Sequence, residues 1–258
     1  MAAWVEGGPV AVVTGAGTGI GQATARMLHS RGHAVVAVDI APQALAWAEG
    51  IPGFACVFGD VSQEAVNIAM VESAVTTFGR LDAVVLNAGI ASRSDWEADD
   101  ALEVFDRIMA VNVRGVVQGI RATAPTMAAG GGGSIVVIGS TSGIRADPNR
   151  WAYDASKAAA INLARAAALD WASRGVRVNV AAPGPTMTPI LQGGRITPEH
   201  LAELTRPIPL QRMAEPDEQA EVICFLVSPA ASFVTGAVYM CDGGITANVG
   251  IFPPRAKD

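Results

Sequence analysis

Val10-Ala-Val-Val-Thr-Gly-Ala-Gly-Thr-Gly-Ile-Gly-Gln22 decides how this chain is read. A short apolar, β-branched run ends at Thr14, and glycines follow at 15, 17, 19 and 21. Glycines there let the backbone turn sharply and come close to a pyrophosphate, whose charge suits the N-terminus of the helix expected next. The spacing is Gly-x-x-x-Gly-x-Gly, which differs from the Gly-x-Gly-x-x-Gly dinucleotide fingerprint, so the context carries the assignment: strand before, helix after. Gly15, Thr18, Gly19, Ile20 and Gly21 are the phosphate-loop candidates. Asp39 closes the next apolar run, 18 residues beyond Gly21. A carboxylate in that place accepts both ribose hydroxyls of an adenosine and repels a 2′-phosphate.

The same alternation fills the rest of the chain. Strands are expected at Val10–Thr14, Ala34–Asp39, Phe54–Phe58, Ala83–Asn87, Ser134–Ser140, Val176–Ala182 and Ala237–Cys241. Most are solidly apolar, as strands covered on both faces are. Helical spacing marks Gly21–Ser30, Glu64–Phe78, Leu102–Met127, Tyr153–Ser173 and Asp217–Leu226. Strand-helix alternation predicts an α/β fold: a seven-stranded parallel sheet with helices on both faces and right-handed crossovers. No internal boundary stands out, so residues 1–258 are expected to form one domain. The Pro- and Gly-rich stretch Gly184–Met213 is too long for a passive loop and is expected to be a substrate lid.

Composition narrows the function classes. The chain is 50% hydrophobic and 16% charged, which excludes a disordered chain. Its formal charge of −6 contains no basic block, so neither a nucleic-acid nor a membrane partner is expected. No apolar run reaches the ~18 residues needed to cross a bilayer, and the first residues lack the pattern of a signal peptide. Cys56, Cys224 and Cys241 are widely spaced in apolar context, and His29, His33 and His200 lack ligand spacing. No metal site and a cytoplasmic location are expected.

The second constellation is Tyr153-x-x-x-Lys157. Residues i and i+4 share a helix face, so ammonium and phenol point the same way. A tyrosine is a sluggish acid/base near its ordinary pKa of ~10, and a nearby cation favours the phenolate. The chain holds two tyrosines, and its lysines are Lys157 and Lys257 alone, so a lysine at this spacing is conspicuous. Thirteen residues upstream, Ser140 ends the fifth strand, at the sheet edge where α/β folds place ligand contacts.

These pieces, with others in order, resemble the short-chain dehydrogenase/reductase family in its single-domain branch. The matching residues are Thr14–Gly21, Asp60-Val61, Asn87-Ala88-Gly89, Asn112, Ser140-Thr-Ser-Gly143 and Tyr153-Asp-Ala-Ser-Lys157. Asn179, Pro183-Gly-Pro-Thr-Met-Thr188 and Gly236…Asp242-Gly-Gly244 complete the set. The resemblance implies a Rossmann-type doubly wound sheet and hydride transfer between a nicotinamide cofactor and an alcohol or ketone. It implies that Tyr153 moves the substrate proton, that Lys157 holds the nicotinamide ribose and lowers the Tyr153 pKa, and that Ser140 binds the substrate oxygen. Asn112 would hold a water relaying protons to Lys157. Asp60 and Val61 would border the adenine, Asn87, Ala88 and Gly89 the cofactor floor, and Pro183, Gly184, Thr186 and Thr188 the carboxamide and phosphates.

Cofactor choice follows from charge: Thr18 stands where many NADP-using relatives place Arg, and no Arg or Lys lies between Arg31 and Arg80. NAD is therefore the expected cofactor. The expected substrate pocket, Ser142, Arg145, Trp151, Met187, Ile190 and Leu191, is mostly apolar with one cation and suits a medium-sized secondary alcohol. The alternatives are a 3-oxoacyl reductase and a catalytically idle dinucleotide-binding module. Ten of the 23 residues in Ala152–Arg174 are alanine, which allows close helix approach; with apolar Val249, Ile251 and Phe252 in the tail and the resemblance, this predicts a homotetramer.

Overall fold

The computed structural model describes residues 4–93, 95–189 and 197–247. Seven strands form one parallel sheet: β1 (Val10–Thr14), β2 (Ala34–Asp39), β3 (Phe54–Phe58), β4 (Ala83–Leu86), β5 (Gly133–Ile138), β6 (Val176–Pro183) and β7 (Val238–Cys241). Their spatial order is β3-β2-β1-β4-β5-β6-β7, with every neighbouring pair parallel. The helices are α1 (Gly19–Ser30), α2 (Glu64–Phe78), α3 (Ala101–Met109), α4 (Gly115–Ala129), α5 (Trp151–Trp171), α6 (Pro198–Thr205) and α7 (Pro216–Val227).

The continuous apolar strands are explained by where their side chains go. Successive strand residues point to opposite faces, and both faces are covered. Val10, Val12, Val36 and Val38 pack with Met70 of α2, Met127 of α4 and Ala164 of α5. Ala11, Val13, Val35 and Ala37 pack with Leu28 of α1 and Ile223 of α7. β1 and β4 are adjacent although far apart in sequence, so strand order reverses between them. The loops leaving their carboxyl ends splay apart there and open a crevice, the usual ligand site of such sheets.

The expected helix over Leu102–Met127 is interrupted. Residues Ala110–Arg114 form a π-helical turn between α3 and α4. An extra residue in one turn rotates the rest of the helix and re-aims a side chain, and such bulges concentrate at functional sites. Here the turn contains Asn112, which is buried.

Candidate active site

The phosphate loop begins where β1 ends. Gly15 has φ of 63°, in the left-handed region, and a side chain there would reach within 2.9 Å of the Ala88 Cα. A Cβ on Gly21 would overlap the Gly15 carbonyl oxygen. The loop is braced from β4: Thr14 Oγ1 accepts from the backbone N–H groups of Asn87 and Ala88, each at 3.0 Å. The Asn87 amide donates to the Thr14 and Gly15 carbonyls at 2.9 and 3.2 Å. Asp39 closes the other side, accepting from Gly17 N at 2.9 Å and Ala41 N at 3.1 Å. Asp60 accepts from Ser62 N at 2.8 Å, which fixes the turn after β3.

A cavity of about 740 Å³ runs from this loop to the far end of the crevice. Gly15, Thr18, Gly19, Ile20, Asp39, Asp60, Val61, Asn87, Ala88, Gly89, Pro183, Gly184, Thr186 and Thr188 line it, together with Ser140, Ser142, Arg145, Tyr153 and Lys157. The glycines leave room for a backbone-hugging pyrophosphate, and Asp39 offers an acceptor set to ribose hydroxyls; these features fit a nicotinamide dinucleotide. Gly21 sits behind the loop, where its lack of a side chain lets α1 approach.

At the far end three groups converge. Ser140 follows β5 in extended backbone, and its hydroxyl accepts from Ser142 N at 3.1 Å. Lys157 is buried and donates from Nζ to the Ile138 carbonyl at 2.8 Å. Desolvation lowers its pKa from 10.5 to about 8. The Lys157 ammonium lies 5.7 Å from the Tyr153 ring centroid, and the Arg150 guanidinium lies 4.7 Å from it. Burial nevertheless pushes the Tyr153 phenol above its ordinary 10, opposed by the Ser140 hydrogen bond and the charge of Arg150. The lowering expected from Lys157 is therefore not the net result: the cost of burying a phenolate exceeds what the Ser140 hydrogen bond and the Arg150 charge return.

Asn112 stands behind this trio, off the cavity wall. Its carboxamide oxygen accepts from Ile90 N and its amide donates to Ile90 O, both at 2.9 Å, with a further donation to Ser156 Oγ at 3.0 Å. It clamps the loop after β4 to α5.

Two expected pocket residues turn away. Trp151 is two positions from Tyr153, and helix residues so spaced do not share a face. Its indole stacks between Trp96 and Phe105, with centroids 4.4 and 5.7 Å away. Met187 lies between the cavity-facing Thr186 and Thr188, so extended alternation sends it to the other side, against Ile208, Met213 and Ile245. Ile190 and Leu191 lie outside the described residues, as do Val249, Ile251 and Phe252 of the tail.

Sequence reasoning missed Arg93, Asp147 and Arg150 on the cavity wall. Arg150 had a legible signal: positions 150, 153 and 157 follow i, i+3, i+7 spacing and share one face at the start of α5. Arg93 had none beyond following the Asn87–Gly89 loop.

Known proteins match closely. A family model described as Enoyl-(Acyl carrier protein) reductase matches residues 15–246. Cis-4-hydroxycyclohexanecarboxylate dehydrogenase of Sinomonas cyclohexanicum is 40% identical over 242 residues, 92% of this chain and 96% of that protein. The 3-ketoacyl-(acyl-carrier-protein) reductase from Brucella melitensis, solved complexed with NADH, superposes with a TM-score of 0.87 at 34% identity, covering 93% of this chain and 98% of that one. A gluconate 5-dehydrogenase from Burkholderia cenocepacia, solved in complex with NADP and tartrate, gives 0.86 at 31% identity, over 95% and 98% of the two chains. With the doubly wound sheet and its cleft, these matches mean that the chain belongs to the short-chain dehydrogenase/reductase family, oxidoreductases of alcohol and ketone groups that bind a nicotinamide dinucleotide.

Proposed function

We propose that this oxidoreductase interconverts a secondary alcohol and its ketone with NAD, using Tyr153 as the acid/base. The observation that carries the reading is the convergence of Ser140, Tyr153 and Lys157 at one end of a cavity whose other end carries Asp39. In oxidation the Tyr153 phenolate takes the hydroxyl proton; in reduction the phenol returns it to the carbonyl oxygen. Ser140 donates a hydrogen bond to that oxygen. Lys157, anchored on Ile138, holds a positive charge near the phenol and would hold the nicotinamide ribose. When held along the glycine loop, Asp39 and Lys157, a nicotinamide dinucleotide would supply the hydride chemistry. Asn112 keeps the Ile90 backbone and α5 in register, so its role is positioning.

Cofactor choice rests on Asp39. The basic residues on the wall, Arg93, Arg145, Arg150 and Lys157, all come from the loop after β4 or the segment from residue 145 into α5, and none from β2 or β3. A 2′-phosphate would face the Asp39 carboxylate without a cation to offset it, a contact costing several kcal/mol.

The substrate end is walled by Ile90, Val111, Pro148, Leu204 and Pro207, which suits a compact, mainly apolar alcohol. The ring alcohol in the name of the Sinomonas relative supports a cyclic one. Residues 184–213 act as the lid of a single 1–258 domain; Glu203, Leu204 and Pro207 already reach the cavity wall. A homotetramer is supported by Leu169 of α5, 83% exposed, and by the fully exposed Phe233. Three free thiols, Cys56, Cys224 and Cys241, suit the reducing cytoplasm.

A panel of secondary alcohols and ketones followed by NADH absorbance tests the reaction. Tyr153→Phe is expected to keep its fold and its NAD affinity while kcat falls at least ~10²-fold. A variant retaining more than half of wild-type kcat on a good substrate would overturn the mechanism.

A further inference from the structure

Three guanidinium groups stand on the substrate half of the cavity, and the proposed chemistry uses none of them to bind substrate. Arg93 enters from the loop after β4; Arg145 and Arg150 enter from the segment before α5. Their states differ. Arg145 is paired with Asp147 at 3.3 Å, and Asp147 is held further by the Ser142 hydroxyl at 2.7 Å. Arg93 and Arg150 form no ion pair with a described residue. Arg93 is exposed, whereas Arg150 is half-buried with its guanidinium over the Tyr153 ring.

The Tyr153 ring face meets the Arg150 charge, and Asp154 one turn further along α5 feels it as well, but no described carboxylate pairs with Arg93 or Arg150 directly. The acidic groups on the same wall are placed otherwise. Asp147 is already engaged, and Glu203 comes from α6 on the lid side. The cofactor's pyrophosphate does not need these groups either, because the glycine loop that fits it lies at the β1–α1 end of the cavity.

We infer that the substrate carries a carboxylate at the end remote from its carbinol, and that Arg93 and Arg150 bind it while Ile90, Val111 and Pro148 contact the apolar body between. The two arginines would grip the carboxylate from two elements, fixing the distance from the anion to the Tyr153 phenol and so selecting which hydroxyl reacts. Guanidinium forks suit this task because they meet a carboxylate with paired donors. This inference rests on the alcohol-dehydrogenase reading and names the substrate class for that same site.

The test separates charge from shape. Initial rates with NAD are measured for 4-hydroxycyclohexanecarboxylate and for its uncharged methyl ester, in the wild type, Arg93→Gln and Arg150→Gln. The wild type is expected to favour the acid in kcat/KM by about 30-fold, the value of one hydrogen-bonded contact to a charge. Each variant should bring that ratio down to within about threefold of unity, mainly through KM. Binding supplies a readout free of the chemistry: 4-oxocyclohexanecarboxylate is titrated calorimetrically into Tyr153→Phe loaded with NADH, with and without Arg93→Gln. A Kd weakened about 30-fold for the acid, with little change for its methyl ester, supports the anion site even if neither alcohol turns over, in which case the reaction reading alone fails. Equal kcat/KM and equal Kd for acid and ester in the wild type overturn the inference and leave the alcohol reading standing. No binding and no turnover of either pair overturns both.

Discussion

Lys157→Met is expected to make the ligand-free protein more stable at neutral pH while abolishing turnover. Burial lowers the Lys157 pKa from 10.5 to about 8, and each unit corresponds to about 1.4 kcal/mol. The charged ammonium thus costs the folded state on the order of 3 kcal/mol relative to an exposed lysine. The unfolded chain keeps this proton up to about 10.5, whereas the folded chain releases it near 8. Below about 8 both states hold the proton and the penalty is fully present; between the two values the unfolded state binds more protons, so wild-type stability from this group rises with pH. Methionine fills a similar volume without the charge but loses the hydrogen bond to the Ile138 carbonyl, worth about 1 kcal/mol. The net expectation at pH 7 is about 2 kcal/mol of added stability, or roughly 4–8 °C in Tm for a chain of this size. At about pH 10 the advantage should disappear, because wild-type Lys157 is then neutral in the fold. Scanning calorimetry of both proteins at the two pH values decides it. A variant less stable than wild type at pH 7, or a gap that persists at the higher pH, would refute the claim that burial of the charge is what the site costs.

Other substitutions probe the cofactor end. Asp39→Ser should reduce a kcat/KM preference for NAD over NADP of at least ~10²-fold, about 2.7 kcal/mol, to nearly none; wild type preferring NADP would overturn the charge argument. Gly21→Ala, which drives a Cβ into the Gly15 carbonyl, should destabilise the fold by about 1–3 kcal/mol in urea titrations and weaken NAD binding; an unchanged midpoint would show that the loop has slack. Light scattering coupled to size exclusion should return four copies per particle, and Leu169→Glu should dissociate them, whereas a stable, active monomer of the wild type at micromolar concentration would contradict the assembly proposed from α5.

The division between what was legible in the residues and what was not follows the range of the forces involved. Apolar runs of strand length, the glycine turn after Thr14 and the i, i+4 placement of Tyr153 and Lys157 depend on backbone geometry over a few residues, so the chain's own order determined the α/β class and the seven strands and singled out the residues at the centre of the proposed site. Asp39 was equally legible, because a strand of known start delivers its last residue to a known edge. Other features depended on which distant segments pack together. The register of β1 against β4 turned Asn87 inward as a brace for Gly15, and a π-helical turn aimed Asn112 at the Ile90 backbone. The packing of α3 on α5 drew Trp151 into an aromatic stack and out of the pocket where it was expected. Arg93 and Arg150 lie 57 positions apart in sequence and line the same cavity because the segments that follow β4 and β5, neighbours in the sheet, both open onto it. Local periodicity carries no information about such meetings; the crossovers and the close packing of side chains between helix and sheet decide them.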